Sequence, residues 1–421
     1  MGDELRPGWS YRKLDELGFV GRGRSRHRPR NHPSLYGGPY PFFQTGDVKA
    51  AELYLSDYSQ TYNEKGLAQS KLWEPGTLCI TIAANIAESA ILKVRGCFPD
   101  SIVGFFADPN EADVRFVKYA IDTMKLRMQS ISRGTTQDNL SLDKLLTFDF
   151  ATPPLPTQRK IAAVLSAYDD LIENNTRRIA VLEEMAQALY REWFVHFRFP
   201  GHEDVPLVDS PLGHIPEGWE VEKMSALAET QYGYTESARD EEIGPKFVRG
   251  TDINKTSYIS WDSVPYCPID DSKYQKYRLR PGDIVVIRMA DPGKAGIIEK
   301  EIEAVFASYL IRLIIKSKKL SPYYLFYTLL SERYQGYITG ASTGTTRKSA
   351  SAGVVSGFDM IVPTDEIRVR FEEQITELRR LLNNLLDRNA NLRCTRDLLL
   401  PRLISGQIDV SDLPIAIPSP P

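Results

Sequence analysis

Residues 153–195 read PPLPTQRKIAAVLSAYDDLIENNTRRIAVLEEMAQALYREWFV, and they predict one long helix that begins after a proline-rich turn. Apolar or bulky side chains recur from Ile161 to Trp193 at alternating spacings of four and three residues. This spacing is the a/d pattern of a coiled coil. We call these positions the first seam: Ile161, Leu165, Tyr168, Ile172, Asn175, Ile179, Leu182, Ala186, Leu189 and Trp193.

A second stretch with the same spacing lies near the other end of the sequence. Its only internal proline is Pro401, and at 1.5 Å per residue each seam spans roughly 48 Å. We call these positions the second seam: Phe371, Ile375, Leu378, Leu382, Leu385, Asn389, Leu392, Arg396, Leu399 and Leu403.

The two narrow seams predict an antiparallel helix pair, because an a/d stripe needs a partner stripe to bury it. In that arrangement Asn175, fifth in the first seam, faces Asn389, sixth in the second. Tyr168 faces Arg396, which predicts a cation–π contact. In the alternative arrangement, each helix packs only on its own globular domain.

The chain contains two copies of one unit, offset by 210 residues. Gly8-Trp9 recurs as Gly218-Trp219, and Gly134-Thr-Thr136 recurs as Gly344-Thr-Thr346. Between these matches the offset drifts by a few residues and then returns, as insertions in loops would produce.

Each copy begins with short apolar or β-branched runs after turn residues and ends in its long helix, which predicts an α+β fold. We place the globular domains at residues 1–156 and 199–363, the helices at 157–198 and 364–406, and a C-terminal tail at 407–421. Antiparallel helices would relate the two α/β domains by a pseudo-two-fold axis.

Composition excludes several classes of protein. No apolar run approaches the roughly 18 residues that span a bilayer, and the N-terminal segment lacks the apolar core of a signal peptide. We therefore expect a cytoplasmic protein with no membrane association. The four cysteines include no C-x-x-C pair, so we expect no metal site.

Positive charge is concentrated locally, although the formal net charge is −3. No acidic residue lies between Leu17 and Gly46, whereas arginines alternate through the middle of that stretch. A second basic pair, Arg347 and Lys348, adjoins a Gly/Ser/Thr-rich segment. Local basic clusters of this kind are typical of nucleic-acid contacts, and also of ordinary solvated surfaces.

The layout resembles the specificity subunit of type I restriction–modification systems over essentially the whole chain. Residues 153–195 are similar to the central conserved helix of that family, and residues 134–140, GTTQDNL, are similar to its Gly-[Ser/Thr]-Thr-Gln…Leu signature. The second copy departs from the family pattern, with Arg347 at the Gln position and Arg368 where Gln158 would recur.

The resemblance implies a non-catalytic subunit whose two target-recognition domains each read half of a bipartite, asymmetric site in double-stranded DNA. The helices would set the spacing and dock two methyltransferase (modification) subunits, with restriction/translocase subunits as an optional addition. S-adenosylmethionine, ATP and Mg would be bound by those partners, and no cofactor by this chain. The sequence agrees, because it contains no G-x-x-x-x-G-K-[ST] loop, and Pro153-Pro154 lacks the flanking residues of an adenine methyltransferase motif.

Candidate DNA-contacting residues are Arg, Lys, Gln and Thr in predicted loops, since these side chains bind phosphates and base edges. They are Arg22, Arg24, Arg26, Arg28, Arg30, Gln44, Thr135, Thr136, Gln137, Arg249, Arg288, Thr345, Thr346, Arg347 and Lys348. The alternatives are a solvated arginine loop and purely structural turns. The outer helix faces and Trp193-Phe194 are candidates for docking methyltransferases, with local core as the alternative for the aromatic pair.

Two other functions fit the same layout less well. A nuclease with a diverged site would cleave DNA alone, but no Asp/Glu-x-Lys cluster between apolar strands supports it. A protein–protein scaffold would bind no DNA.

Overall fold

A computed structural model describes residues 5–133, 140–343 and 348–417. The chain forms two compact units. Unit one combines Met1–Asn175 with Asn389–Pro421, and unit two is Thr176–Arg388. The boundaries therefore fall inside the two long helices, whereas the boundaries predicted from the sequence lie at the helix ends. The reason is that each half-helix packs on the nearest globular domain.

Unit one contains the first globular domain, which we call the first head. Its strands are β1 (Ser10–Arg12), β2 (Gly18–Arg22), β3 (Tyr36–Phe42), β4 (Tyr54–Leu55), β5 (Gln60–Tyr62), β6 (Leu72–Trp73), β7 (Leu78–Thr81), β8 (Ser89–Leu92), β9 (Gly96–Cys97), β10 (Ile102–Ala107) and β11 (Phe150–Thr152). Its helices are α1 (Thr45–Ala50), α2 (Glu64–Ala68), α3 (Val114–Arg133) and α4 (Leu142–Leu145), and the long helix α5 (Leu155–Tyr190) follows.

Unit two contains the second head. Its strands are β12 (Leu207–Ser210), β13 (Gly213–Pro216), β14 (Glu220–Lys223), β15 (Ala228–Tyr232), β16 (Lys246–Val248), β17 (Ile284–Ile287), β18 (Ala295–Ile297), β19 (Ala304–Phe306), β20 (Leu310–Ile315) and β21 (Asp359–Val362). Its helices are α6 (Met224–Leu227), α7 (Asp271–Tyr277), α8 (Pro322–Leu330), α9 (Glu332–Ala341) and α10 (Ala352–Ser356), and the long helix α11 (Asp365–Ile404) follows.

The sheets show the duplication directly. The first head has the strand order β2-β10-β7-β8-β4, and the second has β15-β20-β17-β18. The edge strands β2 and β15 pair antiparallel with β10 and β20, and they begin at Gly18 and Ala228, 210 residues apart. The flanking pairs β1–β11 and β14–β21 correspond in the same way. The α+β prediction is confirmed.

Equivalent turns open the central strands of both sheets. Gly76 and Gly282 have φ values of +83° and +91°, a left-handed conformation that glycine adopts at no steric cost. The strands that follow, β7 and β17, are buried along their whole length. Both heads therefore have a short, buried apolar strand that is preceded in the sequence by a Pro-Gly turn.

Within unit one the two long helices pair antiparallel, as the seams predict. Nδ2 of Asn175 donates to Oδ1 of Asn389 at 2.9 Å, and the two residues are 8% and 1% exposed. Nearer the ends of the pair, Ile161 and Leu165 share one core with Leu403. The asparagine contact is confirmed, and the helices do not pack only on their own heads.

The predicted contact between Tyr168 and Arg396 is wrong. Arg396 Nη1 instead donates to the carboxylate of Asp169, which is 2% exposed and also accepts from the hydroxyl of Tyr119. Glu52 of the first head lies 3.4 Å from the same guanidinium. An ion pair in a partly buried site is stronger than a cation–π contact, so the carboxylates hold this side chain.

Unit two has its own helix pairing and its own buried ion pair. Ile179 packs with Leu382 and Leu385. Arg379, whose side chain is 1% exposed, lies 2.6 Å from Glu299 of the second head. Its guanidinium also donates to the hydroxyl and carbonyl of Ser257, at 2.8 and 2.9 Å. This network fastens α11 to the second head.

Trp193 and Phe194 are core residues of unit two. They lie in the π-helical turn Arg191–Val195 that ends α5, and they are 5% and 4% exposed. The Phe194 ring is 4.7 Å from that of Tyr324 and 4.8 Å from that of Phe371, measured between centroids. Packing in the head buries both rings, so this pair matches the local-core alternative that the sequence left open.

Candidate nucleic-acid interface

The stretch from Arg22 to Arg30, which we call the arginine loop, begins where the edge strand β2 ends. Arg22 Nε donates to the carbonyl of Asp100 at 2.8 Å, and Arg30 Nη2 lies 2.6 Å from the Asp100 carboxylate. Both arginines are exposed. One aspartate therefore holds two arginines of the loop against the head.

The other loop arginines are held mainly through carbonyl groups. Arg24 Nε donates to the carbonyl of Ser70 at 2.8 Å, and Arg28 Nη1 donates to that of Ser25 at 2.7 Å. Arg26 is anchored through its backbone N–H, which donates to Gln69 Oε1 at 2.6 Å. Because a guanidinium has five donors and a carbonyl carries no full charge, these side chains keep both donors and positive charge for an anion.

Lys71 and two aromatic rings extend this basic surface. The Lys71 ammonium lies 3.6 Å from the ring centroid of Trp73 and 4.7 Å from that of Phe19. Burial and the neighbouring charge of Arg24 lower the pKa of Lys71. Phe19 is 58% exposed and pairs across the strands with the exposed Phe106. We call Phe19, Arg24, Lys71 and Phe106 the first-head patch.

Three members of this patch were not predicted from the sequence. Phe19, Lys71 and Phe106 belong to three separate strands or loops, and only the sheet brings them together. An exposed aromatic residue has no sequence signature that separates it from a core aromatic residue. Gln44, in contrast, lies after β3, a strand of the other sheet. It is the N-cap residue of α1, and its Nε2 donates to Gln60 Oε1 at 2.9 Å.

The second head has a patch on the equivalent edge strand. The Arg288 guanidinium lies 5.0 Å from the ring centroid of Tyr232, which is 45% exposed at the end of β15. The backbone carbonyl of Lys348 accepts from Ala290, so Lys348 lies beside the same loop, and its side chain is exposed. The side chain of Tyr309 is also exposed, and its backbone carbonyl accepts from the backbone N–H of Arg288. We call Tyr232, Arg288, Tyr309 and Lys348 the second-head patch.

Arg249 has a structural partner. Its Nε and Nη2 donate to both carboxylate oxygens of Asp252, at 3.1 and 2.9 Å. These hydrogen bonds, opposed by partial burial, raise the pKa of Arg249. The bidentate pair occupies much of the guanidinium, so Arg249 is a weaker candidate for DNA contact than Arg288.

Six predicted contact residues lie outside the described residues: Thr135, Thr136, Gln137, Thr345, Thr346 and Arg347. The residues that flank the second of these segments are close to each other. Thr343 and Ser349 form a β-bridge, and Met289 bridges the same serine. The described residues Thr343 and Ser349 therefore lie close to Met289, the residue that follows Arg288 of the second-head patch.

A closely packed glycine directly follows each edge strand. A Cβ at Gly23 would lie 2.2 Å from the carbonyl oxygen of Pro99, and a Cβ at Gly233 would lie 2.2 Å from that of Ala307. These two glycines directly follow Arg22 and Tyr232. The loops that carry the patches therefore begin at equivalent glycines, and neither position has room for a side chain.

Comparison with known proteins relates this chain to one family. Residues 7–184 match the family model for the type I restriction modification DNA specificity domain. The specificity subunit of the type I restriction enzyme MjaIX from Methanocaldococcus jannaschii is 25% identical, over 96% of this chain and 94% of its own length. Residues 7–184 therefore contain a type I restriction modification DNA specificity domain, and over almost its whole length the chain is similar to a type I specificity subunit. The HindI specificity subunit of Haemophilus influenzae is 23% identical, over 68% of this chain and 74% of its own length.

A solved structure of a specificity subunit has a similar fold. The S subunit from M. genitalium superposes with a TM-score of 0.59 at 15% identity, covering 96% of this chain and 98% of that one. Within the described ranges of this chain, no helix is long and apolar enough to cross a membrane. Those ranges also contain no group of three or more His, Cys, Asp or Glu residues placed to hold a metal ion.

Proposed function

We propose that this specificity subunit reads a bipartite, asymmetric site in double-stranded DNA, with one half-site for each head. The observation that carries the proposal is the pair of patches on equivalent edge strands, β2 and β15. In the first-head patch Lys71 lies over Phe19 and near Arg24, and in the second-head patch Arg288 lies over Tyr232 and close to Lys348. Duplicated folds with different side chains at matching places are suited to two different half-sites.

The side chains in both patches suit DNA. Arg and Lys neutralise phosphates and form bidentate hydrogen bonds with guanine, and apolar side chains contact the methyl group of thymine. The free donors of the arginine loop would add sequence-independent contacts to the backbone. Affinity should consequently fall steeply as salt rises, because binding releases counterions from the DNA.

The long helices would set the distance between half-sites and dock two modification subunits. Exposed apolar side chains on their outer faces support a docking role: Leu171, Val181, Met185, Leu381 and Leu398. We propose that this chain is itself non-catalytic. S-adenosylmethionine would be bound by the modification subunits, and ATP and Mg by restriction subunits where these are present.

Methylation mapping tests this proposal. DNA would be sequenced from cells that express the modification subunit with this chain, and from cells that express the modification subunit alone. We expect a bipartite, asymmetric methylated motif only in the presence of the chain. Unchanged methylation despite a stable complex would instead favour a scaffold, and DNA cleavage by the purified chain would favour a nuclease.

A further inference from the structure

The second head contains a cavity that the DNA-reading proposal does not use. It has a volume of about 790 Å³, within the usual range for ligand pockets, and it lies in unit two beside the end of α5. Aromatic residues form much of its wall, among them Tyr190, Phe194, Tyr324 and Phe358. The hairpin β12–β13 contributes Leu212 and His214.

The charges around this cavity are unbalanced. Arg191, Lys255, Lys294 and Arg333 line it, against a single acidic residue, Glu332. Within the described part of the chain, none of the four cations forms an ion pair with a carboxylate. The Arg333 guanidinium instead lies 4.6 Å from the ring centroid of Phe358 and donates to the carbonyl of Asp359. The cavity is therefore suited to an anionic occupant.

The hairpin beside the cavity favours a polypeptide over a small anion. Next to the cavity, β12 and β13 pair only with each other among the described strands. Leu207 and Val208 on β12 are exposed, which extends an apolar surface away from the cavity. An extended segment needs such backbone and apolar contacts, whereas a free anion does not.

We propose that this cavity docks an acidic polypeptide segment of a modification subunit, with carboxylates beside Arg191 and Lys294 and an apolar side chain against the aromatic wall. The proposal rests on the proposed function, because it names where one partner of the specificity subunit is held. Charge complementarity of this kind gives a docking site its specificity and its salt dependence.

Charge reversal in the complete complex tests the proposal. Lys294→Glu and Arg191→Glu should each weaken binding of the modification subunit about tenfold, with a larger loss at low salt than at high salt. Lys318→Glu is the matched control, because Lys318 is an exposed lysine of the same head that lies outside the cavity. Binding would be measured by titration at several salt concentrations, with far-UV circular dichroism to confirm folding. Equal binding by the wild type, Lys294→Glu and Lys318→Glu would overturn the proposal.

Cross-linking identifies the occupant directly. A photoreactive amino acid at Leu212 should cross-link to an acidic segment of the modification subunit, and one at Leu398, on a helix face, should not cross-link to that segment. A cross-link to a second copy of this chain would overturn the proposal. So would a rise in melting temperature caused by ATP or inorganic triphosphate and lost in Lys294→Glu, because the site would then bind a small anion. In either case the methylated motif stays intact, so failure of this proposal is distinct from failure of the proposed function.

Discussion

Lys71 has surroundings unlike those of a solvated lysine. It lies over two aromatic rings and beside Arg24, and this crowding lowers its pKa. An ammonium group that is partly stripped of water and close to another cation is stabilised when a phosphate approaches. The position is therefore poised for an anion.

Lys71→Ala should weaken DNA binding by the assembled complex. It should also reduce the steepness of the plot of log K, where K is the DNA association constant, against log salt concentration by about one. The measurement is a fluorescence anisotropy titration at several salt concentrations. Lys65→Ala provides the control, since Lys65 is an exposed lysine of the same head outside the first-head patch. An unchanged slope in Lys71→Ala would remove Lys71 from the interface.

Glu299 is essential to stability for a different reason. Its carboxylate neutralises Arg379, which is almost fully buried. Glu299→Gln should lower the free energy of unfolding by about 3–5 kcal/mol, because it leaves a buried charge without a counter-ion. Chemical denaturation measures the loss. Glu301→Gln removes an exposed ion pair with Arg278 and should cost less than about 1 kcal/mol, and a similar loss in both variants would contradict this explanation.

Among the elements, the long helices were the most predictable from sequence. Their 3.5-residue period is a local pattern, and it is enough to predict that Asn175 faces Asn389. It does not predict the ion pair of Arg396, because its partner Asp169 lies one position beyond the seam. The periodicity shows which face is buried, but not which carboxylate a long cationic side chain will reach.

The buried asparagine pair should fix the register of the two helices and lower the stability of the protein. Replacing Asn175 and Asn389 together with Leu should raise the melting temperature, since two apolar side chains replace a buried polar contact. Asn175→Leu alone should lower the melting temperature, because Oδ1 of Asn389 would then lose the hydrogen bond donated by Nδ2 of Asn175. Differential scanning calorimetry of both variants measures the effects, and a double variant that melts below the wild type would contradict this prediction.

The ends of the edge strands depend on two glycines. Gly23→Ala should destabilise the first head, because its Cβ would overlap the carbonyl of Pro99 at 2.2 Å. Gly46→Ala is the control, since Gly46 lies in α1 with open space around its Cβ position. That variant should be neutral or slightly stabilising. Thermal melts of the two variants compare them, and equal melting temperatures would refute the steric argument.

The patches were harder to predict, because they depend on the sheets. The arginine loop is visible as a run of alternating arginines, but its neighbour Lys71 comes from a distant part of the sequence. Tyr232 and Arg288 meet only because β15 and β17 both pair with β20. Long-range strand pairing carries this information, and no local pattern in the sequence reports it.

At the scale of the whole molecule, the two heads should act independently on the two halves of a target. Arg288→Ala should make the methylated motif less specific in one half only. At the affected base position, the free-energy difference between the correct and the wrong base should fall by about 1–3 kcal/mol. Lys71→Ala should leave the sequence of both halves unchanged while lowering occupancy. Methylation sequencing of both variants against wild type measures this, and simultaneous loss of both halves in Arg288→Ala would contradict independence.

The buried pair of Arg379 and Glu299 also governs which heads can be grafted onto this chain. Arg379 belongs to α11, whereas Glu299 and Ser257 belong to the second head. A foreign head transplanted in place of the second one would have to supply an acid and a hydroxyl at those two positions. We therefore expect a grafted second head to fold stably only where the donor supplies both groups, or where the graft carries the matching stretch of α11 with it.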